Sequence, residues 1–162
     1  MRRSLMGGIL AIVVIISACK KDKVQPCPYT EPIITVPAAE ITALEAYLAS
    51  KNITNAVKDP SGFYYTISTP GTGATAELCS SISINYAGKL TNEVIFDQTS
   101  GTPRTFTLGE LISGWIKGIP RIKEGGRILL YLPPSLGYGI QPVGIIPANS
   151  ILIFDIDLIR VL

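Results

Sequence analysis

The 162-residue chain contains no histidine. That absence removes the Ser–His–Asp and Cys–His arrangements of nucleophilic catalysis, along with the commonest metal ligand. Cysteine is scarce as well, and Cys19, Cys27 and Cys79 form no C-x-x-C pair. Neither a zinc site of the usual spacing nor a dithiol redox motif is indicated. Charge of one sign is missing too: 14 Lys and Arg stand against 12 Asp and Glu, a net charge of +2. So small and scattered an excess makes no nucleic-acid footprint. No metal, no cofactor and no nucleic acid are therefore expected, and at this length one core is expected rather than two.

The N-terminus carries an address. "MRRSLMGGILAIVVIISAC" sets two arginines before an apolar run of 14 residues, Leu5 to Ala18, and closes on small residues before Cys19. The run falls short of the roughly 20 residues a membrane span needs, so it reads as an export signal rather than a permanent anchor. "ISAC" resembles the lipobox of bacterial lipoproteins. That likeness implies cleavage after residue 18 and acyl chains on Cys19, each buried CH₂ adding about 0.8 kcal/mol of membrane affinity. The expected location is the cell envelope, lipid-anchored in a membrane. Lys20 and Lys21 behind the cysteine favour the outer membrane over the inner.

"KKDKVQPCPYTEPIITVP", residues 19–37 once Cys19 is included, holds four prolines and crowded charges and reads as a spacer. Cys27 and Cys79 remain as a pair that an oxidising compartment would allow to join. Two free thiols is an equal alternative, because sequence does not place their Cα atoms. Residues 38–62 form a helical extension: "PAAEITALEAYLASKNIT" spaces Ile41, Leu44 and Leu48 for a helix over about 38–50.

From residue 63 to 162 short β-like runs follow one another, namely "GFYYTIST", "SSISINYAGKL", "EVIFDQ", "TFTLG", "GRILLYLPP" and "SILIFDIDLIRVL". In the last run Leu152, Phe154, Ile156 and Leu158 alternate with Ile153, Asp155, Asp157 and Ile159, giving one dry face and one mixed face. One segment breaks the series. "ELISGWIKGIPRI" carries Leu111, Ile112, Trp115, Ile116 and Ile119 at helical spacing. Gly114 and Gly118 cost it about 1 kcal/mol each relative to Ala. They either let the helix approach the sheet closely or are merely tolerated.

The succession "INYAGKL", "VIFDQT", "FTLGELISGWIKGI", "KEGGRILLYLPPSLGYG", "GIIPANSILIFDIDLI" resembles the FKBP-type peptidyl-prolyl isomerases, from about Ser81 to Leu162. The resemblance implies an α+β fold: a curved antiparallel sheet of five to six strands wrapped around a short helix, here with an N-terminal helical extension. It also implies a shallow pocket. Trp115 matches its floor, Leu111 and Ile112 the aliphatic pair at the helix start, and Tyr86, Phe96 and Phe154 its aromatic walls. Asp97 matches the carboxylate beside it, Tyr138 the tyrosine that bonds a bound carbonyl, and Ile145 the isoleucine of the flap. Two departures stand out. In "PRTFTLG" Arg104 occupies the place of a pocket ring, with Phe106 at the second ring position, and the flap "LGYGIQPVGIIPANS" is shorter than is common.

These residue types suit amide rotation. The barrier about a peptide bond is roughly 18–20 kcal/mol and reflects lost resonance. Catalysis needs a site that favours the twisted amide over the planar one, and neither a nucleophile nor a metal. An aromatic cup holding the pyrrolidine ring out of water contributes desolvation. Lowering the barrier by about 5 kcal/mol speeds exchange more than a thousandfold. The implied catalytic residues are Tyr138, Asp97 and Trp115. Substrate is bound by Tyr86, Phe96, Leu111, Ile112, Ile145 and Phe154. The implied partners are proline-containing polypeptides, macrolide inhibitors, and a membrane through Cys19. The alternative is a non-catalytic binding or chaperone module on the same scaffold.

Overall fold

The structure, a computed structural model, describes residues 26–162. The expected leader over residues 1–18, the expected acylation site Cys19 and the start of the expected spacer lie outside the described residues. Among the described residues no helix is long and apolar enough to cross a membrane.

Helix α1 spans Ala38–Ser50. Pro37 fits its N-terminal boundary, and an alanine-rich interior with no glycine favours propagation. It stops at Asn52, which takes the left-handed conformation at φ 54°. The Ile53 N–H then bonds the Leu48 carbonyl at 2.9 Å and the Asn52 N–H that of Ala49 at 3.0 Å. This is a Schellman closure with Ile53 packed back on the helix. Leu44 and Leu48, one turn apart, bury against Tyr131 and Ile153 on the outer face of the sheet.

Seven strands build that sheet: β1 Val57–Lys58, β2 Tyr64–Thr69, β3 Ser81–Leu90, β4 Ile95–Gln98, β5 Arg104–Thr107, β6 Gly126–Leu132 and β7 Leu152–Val161. Their order is β1-β2-β6-β7-β3-β4, with β5 also on β3, and every pairing is antiparallel. The count exceeds the expected five to six for two reasons. β1 is a two-residue addition to β2, and the free edge of β3 is shared by two short strands. β5 pairs its first half at 81–84 and β4 its second half at 87–89. Between them Thr99 covers the Tyr86 backbone, its N–H on the Tyr86 carbonyl at 2.9 Å and its hydroxyl oxygen accepting the Tyr86 N–H at 3.0 Å.

The alternation expected in the last run holds, with Leu152, Phe154, Ile156 and Leu158 buried on the concave side. Ile153, on the mixed face, is buried because α1 covers it. Helix α2, Ser113–Gly118, crosses the concave side and runs on into a 3₁₀ turn, Ile119–Arg121. It is shorter than the apolar spacing suggested. Leu111 and Ile112 have extended ψ values of 172° and 149° and precede the helix. The two glycines mark close approach: a Cβ on Gly118 would lie 2.7 Å from Leu130 Cδ1, and one on Gly114 would overlap Leu132.

Cys27 and Cys79 form a disulfide with their Cα atoms 5.7 Å apart. The extended segment after Cys27 straps the back of α2. The Tyr29 ring lies on Gly109, its hydroxyl donates to Glu110 at 2.6 Å, and Lys117 pairs with Glu31 at 2.5 Å. Asp59, 2% exposed, forms an ion pair with Arg121 at 2.7 Å and accepts the Ser61 N–H at 2.8 Å. That pair ties the turn before β2 to the end of α2.

Candidate active site

At the end of the fold where α2 meets the concave face, a cavity of about 150 Å³ is lined by Tyr86, Phe96, Asp97, Phe106, Leu111, Ile112, Trp115, Tyr138 and Phe154. The volume lies below the roughly 300 Å³ at which drug-sized sites begin, and suits one small ring.

Each wall comes from a different element. Tyr86 is on β3, Phe96 and Asp97 on β4, Phe106 on β5, Trp115 on α2 and Phe154 on β7. Trp115, 4% exposed, is the hub. Tyr86, Phe154 and Phe106 all meet it edge-to-face, with ring centroids 5.1, 5.0 and 6.5 Å away and interplanar angles of 80°, 85° and 86°. Phe96 meets Phe154 at 5.5 Å and 87°. Such geometry places ring edges against ring faces, the arrangement aromatic quadrupoles favour. Gly88 leaves the room for this contact, since a Cβ there would sit 2.7 Å from both Phe96 and Phe154. The Trp115 indole N–H is buried with no hydrogen-bond partner among the described residues, a donor that normally finds one.

The divided edge of β3 sets the polar rim. With β4 on one side of Tyr86 and β5 on the other, Asp97 and Arg104 converge on the same phenol. The Tyr86 hydroxyl donates to Asp97 Oδ2. Arg104 Nη1 donates to the Tyr86 oxygen at 3.0 Å and to Asp97 Oδ1 at 3.3 Å, with the guanidinium 5.9 Å from the ring centre. Both Asp97 oxygens are thus engaged. Burial pushes the Tyr86 phenol up to about 12, helped by its bond to the Asp97 carboxylate and opposed by Arg104. Tyr138, 38% exposed, is also held above its ordinary value of 10, first by burial and then by the charge of Asp97. Both hydroxyls therefore stay protonated and able to donate through neutral pH.

Eight of the nine residues singled out in the sequence for the pocket are brought together around this cavity. Ile145 is placed apart, 63% exposed on the loop between Tyr138 and β7, and does not line it. A Val143–Ile146 bridge pins that loop and turns Ile146 inward instead. Phe106 and Arg104 join the site beyond the residues singled out. The signal for both was the run "PRTFTLG", where one ring position is kept and the other carries a guanidinium. A larger cavity of about 410 Å³ lies beside the Cys27–Cys79 bridge, but it has no aromatic cup.

Residues 73–159 match the family model described as FKBP-type peptidyl-prolyl cis-trans isomerase. The chain belongs to that family. It is similar to the "FKBP-type peptidyl-prolyl cis-trans isomerase FkpA" of Aeromonas hydrophila, at 36% identity over 72% of this chain and 45% of the relative. It is also similar to a probable enzyme of the same description from Haemophilus influenzae, at 40% identity over 62% of this chain and 43% of the relative. The chain thus spans less than half the length of these curated relatives. Among solved structures, FkpA of Escherichia coli superposes with a TM-score of 0.69 at 33% identity, covering 76% of this chain and 60% of that one. A peptidyl-prolyl cis-trans isomerase of Pseudomonas syringae pv. tomato gives 0.67 at 30% identity, covering 80% of this chain and 98% of that one.

Proposed function

We propose that this chain is a peptidyl-prolyl cis-trans isomerase, accelerating rotation of X-Pro bonds in exported polypeptides and so assisting their folding. The observation that carries the reading is the five-ring cup around Trp115 with the Tyr138 hydroxyl at its mouth. The pyrrolidine ring of a substrate enters the cup and leaves water, which withdraws solvation from the planar, charge-separated amide. Tyr138 donates to a carbonyl next to the rotating bond, holding the peptide while the bond turns. Asp97 acts through Tyr86, fixing that ring as a wall. Ile145, on the exposed loop, contacts the substrate outside the cup, and a macrolide inhibitor would cap the same cavity.

The finer parts of the reading rest on the N-terminal residues alone. In it Cys19 is acylated after removal of residues 1–18, and residues 19–37 serve as a spacer. The helical extension of residues 38–62 leads into the isomerase domain at 63–162, held at the outer membrane of the cell envelope.

The test is cis/trans exchange of a short X-Pro peptide followed by NMR, using the full chain in detergent and a Tyr138→Phe variant. Acceleration by the parent and a drop of about tenfold in the variant are expected. A folded parent that leaves the exchange rate at its uncatalysed value overturns the enzyme reading. The second reading, binding without turnover, is favoured by the engagement of both Asp97 oxygens. It predicts peptide-induced resonance shifts around Trp115 without faster exchange.

A further inference from the structure

Tyr138 stands two residues beyond a short turn, Pro134–Leu136, whose internal closures run to the Pro134 carbonyl from the N–H groups of Gly137 and Gly139, both at 2.9 Å. One side of this turn rests on the sheet through Gly137, where a Cβ would lie 2.6 Å from Leu152 Cδ1. The other side is held from a distance in sequence. Glu40, in the first turn of α1, accepts the Ser135 N–H on Oε2 at 2.9 Å and the Ser135 hydroxyl on Oε1 at 2.7 Å. Ninety-five residues separate the two partners, and the bonds are partly buried. Both oxygens of one carboxylate are spent on one residue, so the contact sets orientation as well as distance.

Glu40 is fixed in turn. Leu44, one turn further along the same helix, is fully buried with Leu48 against Tyr131 and Ile153. α1 therefore reaches the loop as part of a packed layer and not as a loose arm. It also lies ahead of residues 73–159, the span the family model covers.

We infer that Glu40 is a positioning residue that sets the place of the Tyr138 ring at the mouth of the cavity, acting through Ser135. The effect on turnover rests on the isomerase reading above, whereas the effect on the loop does not. Charge-assisted bonds outlast neutral ones in a partly dry site. Glutamine at 40 keeps an acceptor for the Ser135 N–H, and alanine keeps nothing.

The experiment compares the full chain with Glu40→Ala, Glu40→Gln and Ser135→Ala, the last leaving α1 untouched. Amide hydrogen exchange at Gly137 and Gly139 is read against core amides of β6 and β7, beside prolyl exchange of the test peptide. In Glu40→Ala the two loop amides are expected to exchange about tenfold faster while the core amides hold, the mark of local rather than global opening. Its kcat/KM is expected to fall about tenfold, with Ser135→Ala in between and Glu40→Gln within about threefold of the parent. Loop amides as protected as the parent's in folded Glu40→Ala and Ser135→Ala overturn the inference, whatever the melting temperature does. Freer loop amides with unchanged turnover in an active parent overturn it too, since Glu40 is then only a structural staple. A parent that does not accelerate prolyl exchange removes the isomerase reading instead, and the amide arm still decides what Glu40 does to the loop.

Discussion

Arg104 donates to the hydroxyl of Tyr86 at 3.0 Å while its guanidinium lies 5.9 Å from the centre of the same ring. One side chain thus holds the wall of the cavity by both its edge and its face. Arg104→Ala is expected to cost under about 1 kcal/mol of stability, because the ion pair with Asp97 is half exposed. Its effect on kcat/KM is expected to be larger, about tenfold, because the Tyr86 wall loses its brace. Melting temperature and peptide exchange measured on one sample separate the two.

The alkaline limit follows from Tyr86. Its phenol titrates at about 12 in the folded protein against an ordinary value of 10. The unfolded chain therefore releases that proton first as pH rises, so the stabilisation is complete below pH 10 and disappears on the way to pH 12. At most about 2 kcal/mol, reduced by solvent screening at the cavity rim, should vanish across that window. Tyr47, Tyr131 and Tyr138 are raised as well, so denaturant midpoints at pH 9, 10, 11 and 12 are compared between the parent and Tyr86→Phe. A steeper loss in the parent is expected, and the same pH dependence in both would refute the assignment. Turnover should be flat from about pH 6 to 9, since the chain has no histidine and both pocket phenols stay protonated there.

At Gly114 two opposing terms compete. Alanine gains about 1 kcal/mol of helix propensity, but its methyl would overlap the Leu132 side chain behind α2. Overpacking of this kind costs about 1–3 kcal/mol, and Trp115 is the next residue. Gly114→Ala is expected to lower the melting temperature and weaken turnover together. An unchanged or raised melting temperature would show that helix and sheet have room to spare.

Reduction probes the strap. The Cys27–Cys79 bridge closes a loop of 52 residues, for which chain-entropy arithmetic gives roughly 4 kcal/mol. A Cys27→Ser variant should unfold at correspondingly lower denaturant. The parent in reductant should behave like that variant, and a difference between them would point to another role for the thiols.

Much of this arrangement was legible in the chain. An alanine-rich stretch between Pro37 and Asn52 admits little but a helix, and period-two alternation marks the long strands, Ser81–Leu90 and Leu152–Val161. What escaped depends on partners distant in sequence. Leu111 and Ile112 share the spacing of α2, yet both are extended, because apolar periodicity registers burial and the cavity supplies that burial without a helix. The division of the β3 edge between β4 and β5 is set by pairing and leaves no pattern in composition. Arg104 was visible as a departure from the family, but its purpose appeared only with Tyr86 and Asp97 beside it. The Glu40–Ser135 contact joins two ordinary residues, and nothing local marks either one.

The chain has one tryptophan, and that residue is the floor of the cup. Its fluorescence therefore comes from one place and carries no background from elsewhere in the protein. Every ring that touches it belongs to the cavity wall. A guest ring settling on the indole would alter its emission directly, so occupancy can be followed by light on unlabelled protein, including with guests that are never turned over.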